Sequence, residues 1–252
     1  MPERDPTSID TYLRIGLDTE PLNDGRLDTA LRRLHSLGAD SRLDVRLVAT
    51  DRLEYYVGSA DTHASTVEHT LRSLFPEGTQ LDRETPPSLP EEPTAALELY
   101  SRSERRGDWQ TRLEPVTAEK TTHTRFPLAA VVDALADTDA TVHYQALLTP
   151  KPDWGADASL RIDKLTRNRD TPAQRFIDFL FDEYTVDPSV EDADPTHQRR
   201  IRSIQATDPS HSFAVCARAV ASGDGAEATL EEFGTALRSA DGPFYQIGRA
   251  HV

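Results

Sequence analysis

Leu43-Asp44-Val45-Arg46-Leu47-Val48-Ala49, a break at Thr50-Asp51-Arg52, then Leu53-Glu54-Tyr55-Tyr56-Val57 and a run from Asp61 to Phe75 make up the stretch that decides the fold. The first two segments are short and rich in Leu, Val and Tyr, which predicts two strands joined by a tight turn. In the run that follows, Ala64, Val67, Leu71, Leu74 and Phe75 recur at three- and four-residue spacing, and Pro76-Glu77-Gly78 closes it. That pattern predicts an amphipathic helix. Val57, Ser59, Asp61, Thr66 and Glu68 return, at one constant offset and without a gap, as Val220, Ser222, Asp224, Thr229 and Glu231. The chain therefore repeats a unit of strand, Ser-x-Asp link and helix, and the link offers a residue able to cap the helix.

Outward from this stretch, Tyr12, Leu13, Ile15 and Leu17 predict a strand, and Leu27, Ala30, Leu31, Leu34 and Leu37 a helix between Asp24 and Gly38. A strand near Thr79 to Arg83 completes the order β-α-β-β-α-β, the ferredoxin-like or split βαβ arrangement. Thr85 to Pro93, with four prolines, cannot continue a sheet and reads as a linker. Beyond it come a strand from Ala95, a polar excursion from Ser101 to Lys120, a helix over 128–136 and a strand over 142–148. Helical spacing over 158–165, 172–184 and 196–204 then interrupts the pattern before a strand from His211 to Val220, a helix from Ala226 to Leu237 and a last strand near Phe244. The expected fold is α+β, two tandem ferredoxin-like (βαββαβ) units with antiparallel sheets. Residues 1–84 form the first unit, 85–93 the linker and 94–245 the second, with a helical insertion at about 153–207.

The chain has 43 acidic and 28 basic residues and a formal net charge of −15. Its only lysines are Lys120, Lys151 and Lys164, and Asp outnumbers Glu, a usage that resembles salt-adapted haloarchaeal proteins. Short carboxylates keep a surface hydrated where salt screens charge. The same acidity argues against broad nucleic-acid binding, which needs clustered Lys and Arg to neutralise phosphates. Cys216 is the single cysteine, so a disulfide framework is excluded, and its apolar strand predicts a small buried hydrophobe. No apolar run approaches a membrane span, and Met-Pro-Glu-Arg-Asp-Pro lacks the features of a signal peptide. The expected location is the cytoplasm, or the membrane periphery through a larger complex.

Candidate chemistry is sparse. None of the three lysines follows a glycine, so no phosphate loop is present. Gly223-Asp224-Gly225 fits the start of a helix better than a dinucleotide cradle. His63 and His69 lie on one helix at a spacing that does not place them on one face for a metal. Asp208, Ser210, His211 and Ser212 include the residue types of a hydrolytic triad, but a turn leading into a strand explains them better. The acids Asp182, Glu183 and Glu191-Asp192-Ala193-Asp194 read as a solvated surface. Two basic patches stand out as partner-binding candidates: Arg102, Arg105 and Arg106 before Trp109, and Arg199, Arg200 and Arg202 in the insertion. Arg beside an aromatic suits base stacking, phosphate or an acidic protein partner. Tyr55 and Tyr56 are candidate stacking residues for a nucleic acid.

Gln246-Ile247-Gly248-Arg249-Ala250-His251-Val252 interrupts the last strand as it begins, and written back as CAG-ATC-GGA-AGA-GCA-CAC-GTC it reproduces a sequencing-adapter oligonucleotide. The expectation is a truncated product whose natural sequence stops at about Tyr245, with 246–252 an adapter-derived tail that pairs poorly. The tandem units, the strand Val142-His-Tyr-Gln-Ala-Leu-Leu-Thr-Pro150 and the motif Leu74-Phe75-Pro76 resemble the amino-terminal region of haloarchaeal conjugation or type IV secretion ATPases of the HerA and FtsK superfamily. The resemblance covers nearly the whole chain, but the family's Walker lysine and acidic motif have no matching positions, so no catalytic, cofactor or metal residue carries over. It implies a non-catalytic assembly or docking module that contacts other subunits or secretion-channel proteins, with ATP, Mg and DNA handled by a downstream motor. The alternative is a stand-alone ferredoxin-like nucleic-acid-binding or regulatory module.

Overall fold

A computed structural model of the chain describes residues 8–16, 24–103, 135, 138–167, 190–238 and 245–251. The first half runs β1 (Thr11–Gly16), α1 (Asp24–His35), β2 (Leu43–Ala49), β3 (Leu53–Ser59), α2 (Asp61–Leu74) and β4 (Gln80–Arg83). The second half contributes β5 (Ala95–Ser103), β6 (Thr141–Pro150), α3 (Gly155–Thr166), α4 (Pro195–Gln205), β7 (Phe213–Ser222), α5 (Ala226–Arg238) and β8 (Tyr245–His251). These strands form one eight-stranded sheet in the order β4-β1-β3-β2-β6-β7-β5-β8, and every pairing in it is antiparallel. Counted from either outer edge inward, each half places its strands fourth, first, third, second.

The two halves thus share one sheet rather than holding separate ones. They meet where β2 pairs β6 from Leu43↔Leu148 to Ala49↔Val142. Both strands are apolar and long, and each would otherwise present an open edge at the end of its own four strands; pairing them removes both edges. The prolines of 85–93 form no strand, so the linker crosses from one half to the other without interrupting this joint.

Alternation along the strands sorts side chains onto two faces. Leu13, Ile15, Leu43, Val57 and Leu81 pack under Ala30, Leu34, Val67, Leu71 and Leu74 of α1 and α2. Leu47, Leu97, Leu99, Val142, Ala217, Ala219 and Ala221 pack under Leu135, Ala226, Leu230 and Phe233. Val45 and Tyr55 touch both clusters, so the helices sit on one face of one sheet. Full burial of a Val, Leu or Phe here contributes about 1.5–3 kcal/mol, and the alanines of β7 let α5 lie close. Within the insertion, Trp154, Ala158, Leu165, Ile201 and Ile204 form a separate small core between α3 and α4. The helices expected over 128–136 and 172–184 lie outside the described residues, apart from Leu135.

Four sequence expectations change. The repeat is not gapless in space: Val57 faces the helices, whereas Val220 faces the other way and lines a concavity there. β3 runs into α2 through Ala60 alone, but β7 reaches α5 through Gly223, Asp224 and Gly225, with φ of 98° and 75° at the two glycines, a left-handed turn that resets the phase. Asp61 does not cap α2; Ala60 occupies that position, and Asp61 accepts from Thr11 Oγ1 in the first turn, where the helix dipole favours an acid. Cys216 is exposed, because it lies on the face away from the helices. Tyr245–His251 pairs with β5 from Leu97↔His251 to Ser103↔Tyr245 rather than pairing poorly, since a backbone ladder needs donors and acceptors more than apolar alternation.

Candidate functional site

The face turned away from the helices carries the polar chemistry. Seven residues lie in register straight across it, from β4 to β5: Asp82, Arg14, Tyr56, Arg46, Gln145, Arg218 and Glu98. Beside them runs a second row, Tyr12, Gly58, Asp44, Leu147 and Cys216. Asp44 is fully buried, and its Oδ2 accepts from the Tyr12 hydroxyl at 2.7 Å, Arg46 Nε at 2.8 Å and Gln145 Nε2 at 2.8 Å. Gln145 in turn accepts from Arg218 Nε at 2.8 Å, and Arg46 Nη2 donates to the Tyr12 oxygen at 2.7 Å. A charge-assisted network of this kind holds each member to one rotamer.

Gly58 makes the arrangement possible. Tyr12 reaches across β3 to a carboxylate on β2, and a Cβ at Gly58 would collide with the Tyr12 ring and with Ile9. The Arg46 guanidinium lies over the same ring at 4.9 Å. Burial and the hydrogen bond to Asp44 push the Tyr12 pKa up, so the phenol stays a donor. Tyr56 donates to Glu54 at 3.0 Å, and burial and that bond raise its pKa to about 12. Burial first, then Arg46, pushes the His143 pKa down; its Nδ1 has no hydrogen-bond partner among the described residues.

The centre of this face is closed, with Asp44, Val48, Tyr56, His143 and Gln145 all buried. Over β6, β7 and β5 it opens into a concavity of about 440 Å³, where Glu98, Cys216 and Arg218 are exposed. Of these residues sequence reasoning had singled out only Tyr56, as a stacking residue, and Cys216, as a buried hydrophobe, and neither in this role. The available signal was polar residues at alternate positions of apolar strands, Asp44 and Arg46 in β2 above all, with a glycine inside β3.

A second polar cluster joins α1 to the end of the insertion. Arg32 Nη1 meets Asp208 Oδ2 at 2.8 Å, the same oxygen lies 3.0 Å from His211 Nδ1, and His35 packs edge-on to His211 at 5.4 Å. The Asp-His contact is that of a hydrolytic dyad, but both serines are engaged elsewhere. Ser210 donates to Asp153, and Ser212 accepts from Trp154 Nε1. The residues fasten the insertion to α1, consistent with a turn before β7.

Of the expected partner-binding residues, Arg105, Arg106 and Trp109 lie outside the described residues, and Arg102 is in β5 opposite Gln246. Arg199 and Arg202 share the exposed side of α4. Arg200 is 4 % exposed on the side of Ile201 and Ile204, so it does not belong to a surface patch. Tyr55 and Tyr56 offer no stacking platform: they point to opposite faces, Tyr55 into the core under the helices and Tyr56 buried beside Glu54. Among the described residues no group of three or more His, Cys, Asp or Glu is placed to hold a metal ion, and no helix is long and apolar enough to cross a membrane. No family model matches the chain, and no curated protein or solved structure matches it significantly.

Proposed function

We propose that this chain is a non-catalytic assembly or docking module, built as two tandem ferredoxin-like units, of a DNA-translocating conjugation or type IV secretion ATPase. Its partners in this reading are other subunits of the same ATPase or secretion-channel proteins in the cytoplasm or at the membrane periphery, while ATP, Mg and DNA are handled by residues outside this chain. The observation that carries the reading is the outer side of α1. Leu27 and Leu31 are 37 % and 39 % exposed one turn apart, although Ala30 and Leu34 of the same helix are buried. In a chain so acidic and so sparing of large apolar residues, an exposed Leu pair on one helix face fits protein contact better than a solvated surface. The single continuous sheet supports it, since it gives that helix a rigid mount.

Sedimentation velocity in molar KCl, from micromolar to hundreds of micromolar protein, tests the reading. Self-association of the wild type that disappears in the Leu27→Asp, Leu31→Asp variant is expected. A wild type that is monomeric throughout removes the subunit-contact reading. Micromolar ATP binding with turnover, measured by calorimetry and phosphate release, overturns the non-catalytic one. Micromolar binding of a DNA or RNA oligonucleotide to the monomer decides instead for a stand-alone nucleic-acid-binding module.

A further inference from the structure

The geometry points to the concavity over β6, β7 and β5 as a binding site for a small monocarboxylate with a compact apolar body, a role independent of the assembly reading. Arg218 stands at the centre of the lining. Its Nε is taken up by Gln145 Oε1 at 2.8 Å, and Gln145 is itself fixed by Nε2 on the buried Asp44 at 2.8 Å. Because Gln145 donates inward and accepts outward, its amide cannot flip without losing both bonds. With Nε engaged, the four Nη hydrogens remain, and Arg218 forms no ion pair among the described residues although Glu98 lies directly across from it in register. The result is an exposed guanidinium aimed from a buried base, with its end-on fork open to a ligand.

That fork matches the two oxygens of a carboxylate. The surroundings choose between anions. Glu98 stands beside the site and the chain carries a net charge of −15, so a phosphate group, with about −1.5 to −2 charges, meets more repulsion than a single carboxylate. The rows on either side of Arg218 supply apolar walls: Ala96 and Val220 on one, Leu147 and the Cys216 side chain on the other. At about 440 Å³ the space is that of a small-molecule pocket, with Arg218 as its cationic anchor, Glu98 and Gln145 beside it, and an otherwise apolar lining.

Cys216, the only cysteine of the chain, is exposed on the wall and reports occupancy without any label. The test measures the rate at which the neutral reagent iodoacetamide alkylates Cys216 in molar KCl, with benzoate as probe, benzamide as its uncharged isostere and inorganic phosphate as the competing anion. Saturable slowing by benzoate, with weak or no slowing by benzamide and phosphate, is expected. Arg218→Gln should raise the benzoate concentration needed by about tenfold or more, the loss of a charge-assisted bond. Protection in each variant is scored against that variant's own alkylation rate without benzoate. Arg218→Lys, which keeps the charge but not the fork, should also weaken protection. No protection, equal protection by benzamide, equal or better protection by phosphate, or protection unchanged in Arg218→Gln would each overturn the assignment.

Discussion

At the scale of single residues, the buried carboxylate of Asp44 is the hub of the polar face. It gathers Tyr12, Arg46 and Gln145 on one oxygen, and the Arg46 side chain is only 17 % exposed, so removing the acid strands a cation and two polar groups together. Asp44→Ala should therefore destabilise by about 3–5 kcal/mol, as measured by urea unfolding, whereas Arg218→Ala, which removes one donor from Gln145 Oε1 at the exposed end of the network, should cost less, about 1 kcal/mol. A loss under about 1 kcal/mol for Asp44→Ala would show that the network does not hold the sheet. Gly58→Ala should be costly for a different reason, since the new methyl displaces the Tyr12 ring from its place over β3; a crystal structure of the variant should show the Tyr12–Asp44 bond broken.

His143 adds a pH dependence. It is buried and its pKa is held below the usual 6.5, so the unfolded chain takes up a proton near that value while the folded chain does not. Stability from this residue is complete above about pH 6.5 and declines as pH falls toward the folded pKa. Carboxylates with lowered pKa, such as Glu68 beside Arg72 and Arg83, act lower, near their own range of about 4. Melting temperature followed between these two ranges should fall in the wild type and stay flatter in His143→Gln; parallel curves would assign the acid sensitivity elsewhere. Little of this site was legible in the sequence, because a lone Asp or Arg in a strand says which face is polar but not which polar groups meet across five strands. The Arg200 misplacement has the same root: three arginines in one helix read as a patch until the helix period turns the middle one inward.

Among the described elements, those of the insertion have a core of their own. Its core of Trp154, Ala158, Leu165, Ile201 and Ile204 is separate from both clusters under the sheet. Among the described residues, its side-chain ties to α1 and the start of β7 include exposed or partly exposed polar contacts, Arg32 to Asp208, His35 to the Lys151 carbonyl and Trp154 to Ser212. Ile201→Ala, at a fully buried position, should cost about 2–5 kcal/mol. The loss should fall on α3 and α4 as faster amide exchange, while β2, β6 and β7 keep their protection. Equal acceleration across the sheet would show that the insertion and sheet unfold as one unit. The elements themselves were largely readable, since strands and helices at Leu43–Leu74 and Phe213–Arg238 follow apolar periodicity closely. What periodicity could not supply was the β2–β6 joint, because a strand's pattern reveals its faces and not its neighbours. The Ser-x-Asp repeat located the equivalent strands, yet the Gly223-Asp224-Gly225 turn shows that identity at a fixed offset need not preserve which face a residue occupies.

For the whole molecule the governing quantity is charge. With 43 acidic against 28 basic residues, mutual repulsion opposes the compact state, and it weakens as the Debye length shrinks from about 10 Å at 0.1 M salt to about 3 Å at 1 M. Local pairs act in the opposite direction, because salt also screens Arg14 with Glu54, Asp82 and Glu84, and Arg72 and Arg83 with Glu68. Those pairs are largely at the surface, where each is worth about 0–1 kcal/mol, so their loss is small beside the relief of a net charge of −15 acting over the whole surface. Screening should therefore win, and salt also strengthens burial of a core that leans on alanine, Ala217, Ala219, Ala221 and Ala226 among others. The melting temperature is expected to rise steadily with KCl into the molar range, and to rise less in sodium perchlorate of the same ionic strength, which screens equally but does not favour apolar burial. A melting temperature that is flat or falls with KCl would mean that the short-range pairs, and not the net charge, set the stability of this sheet.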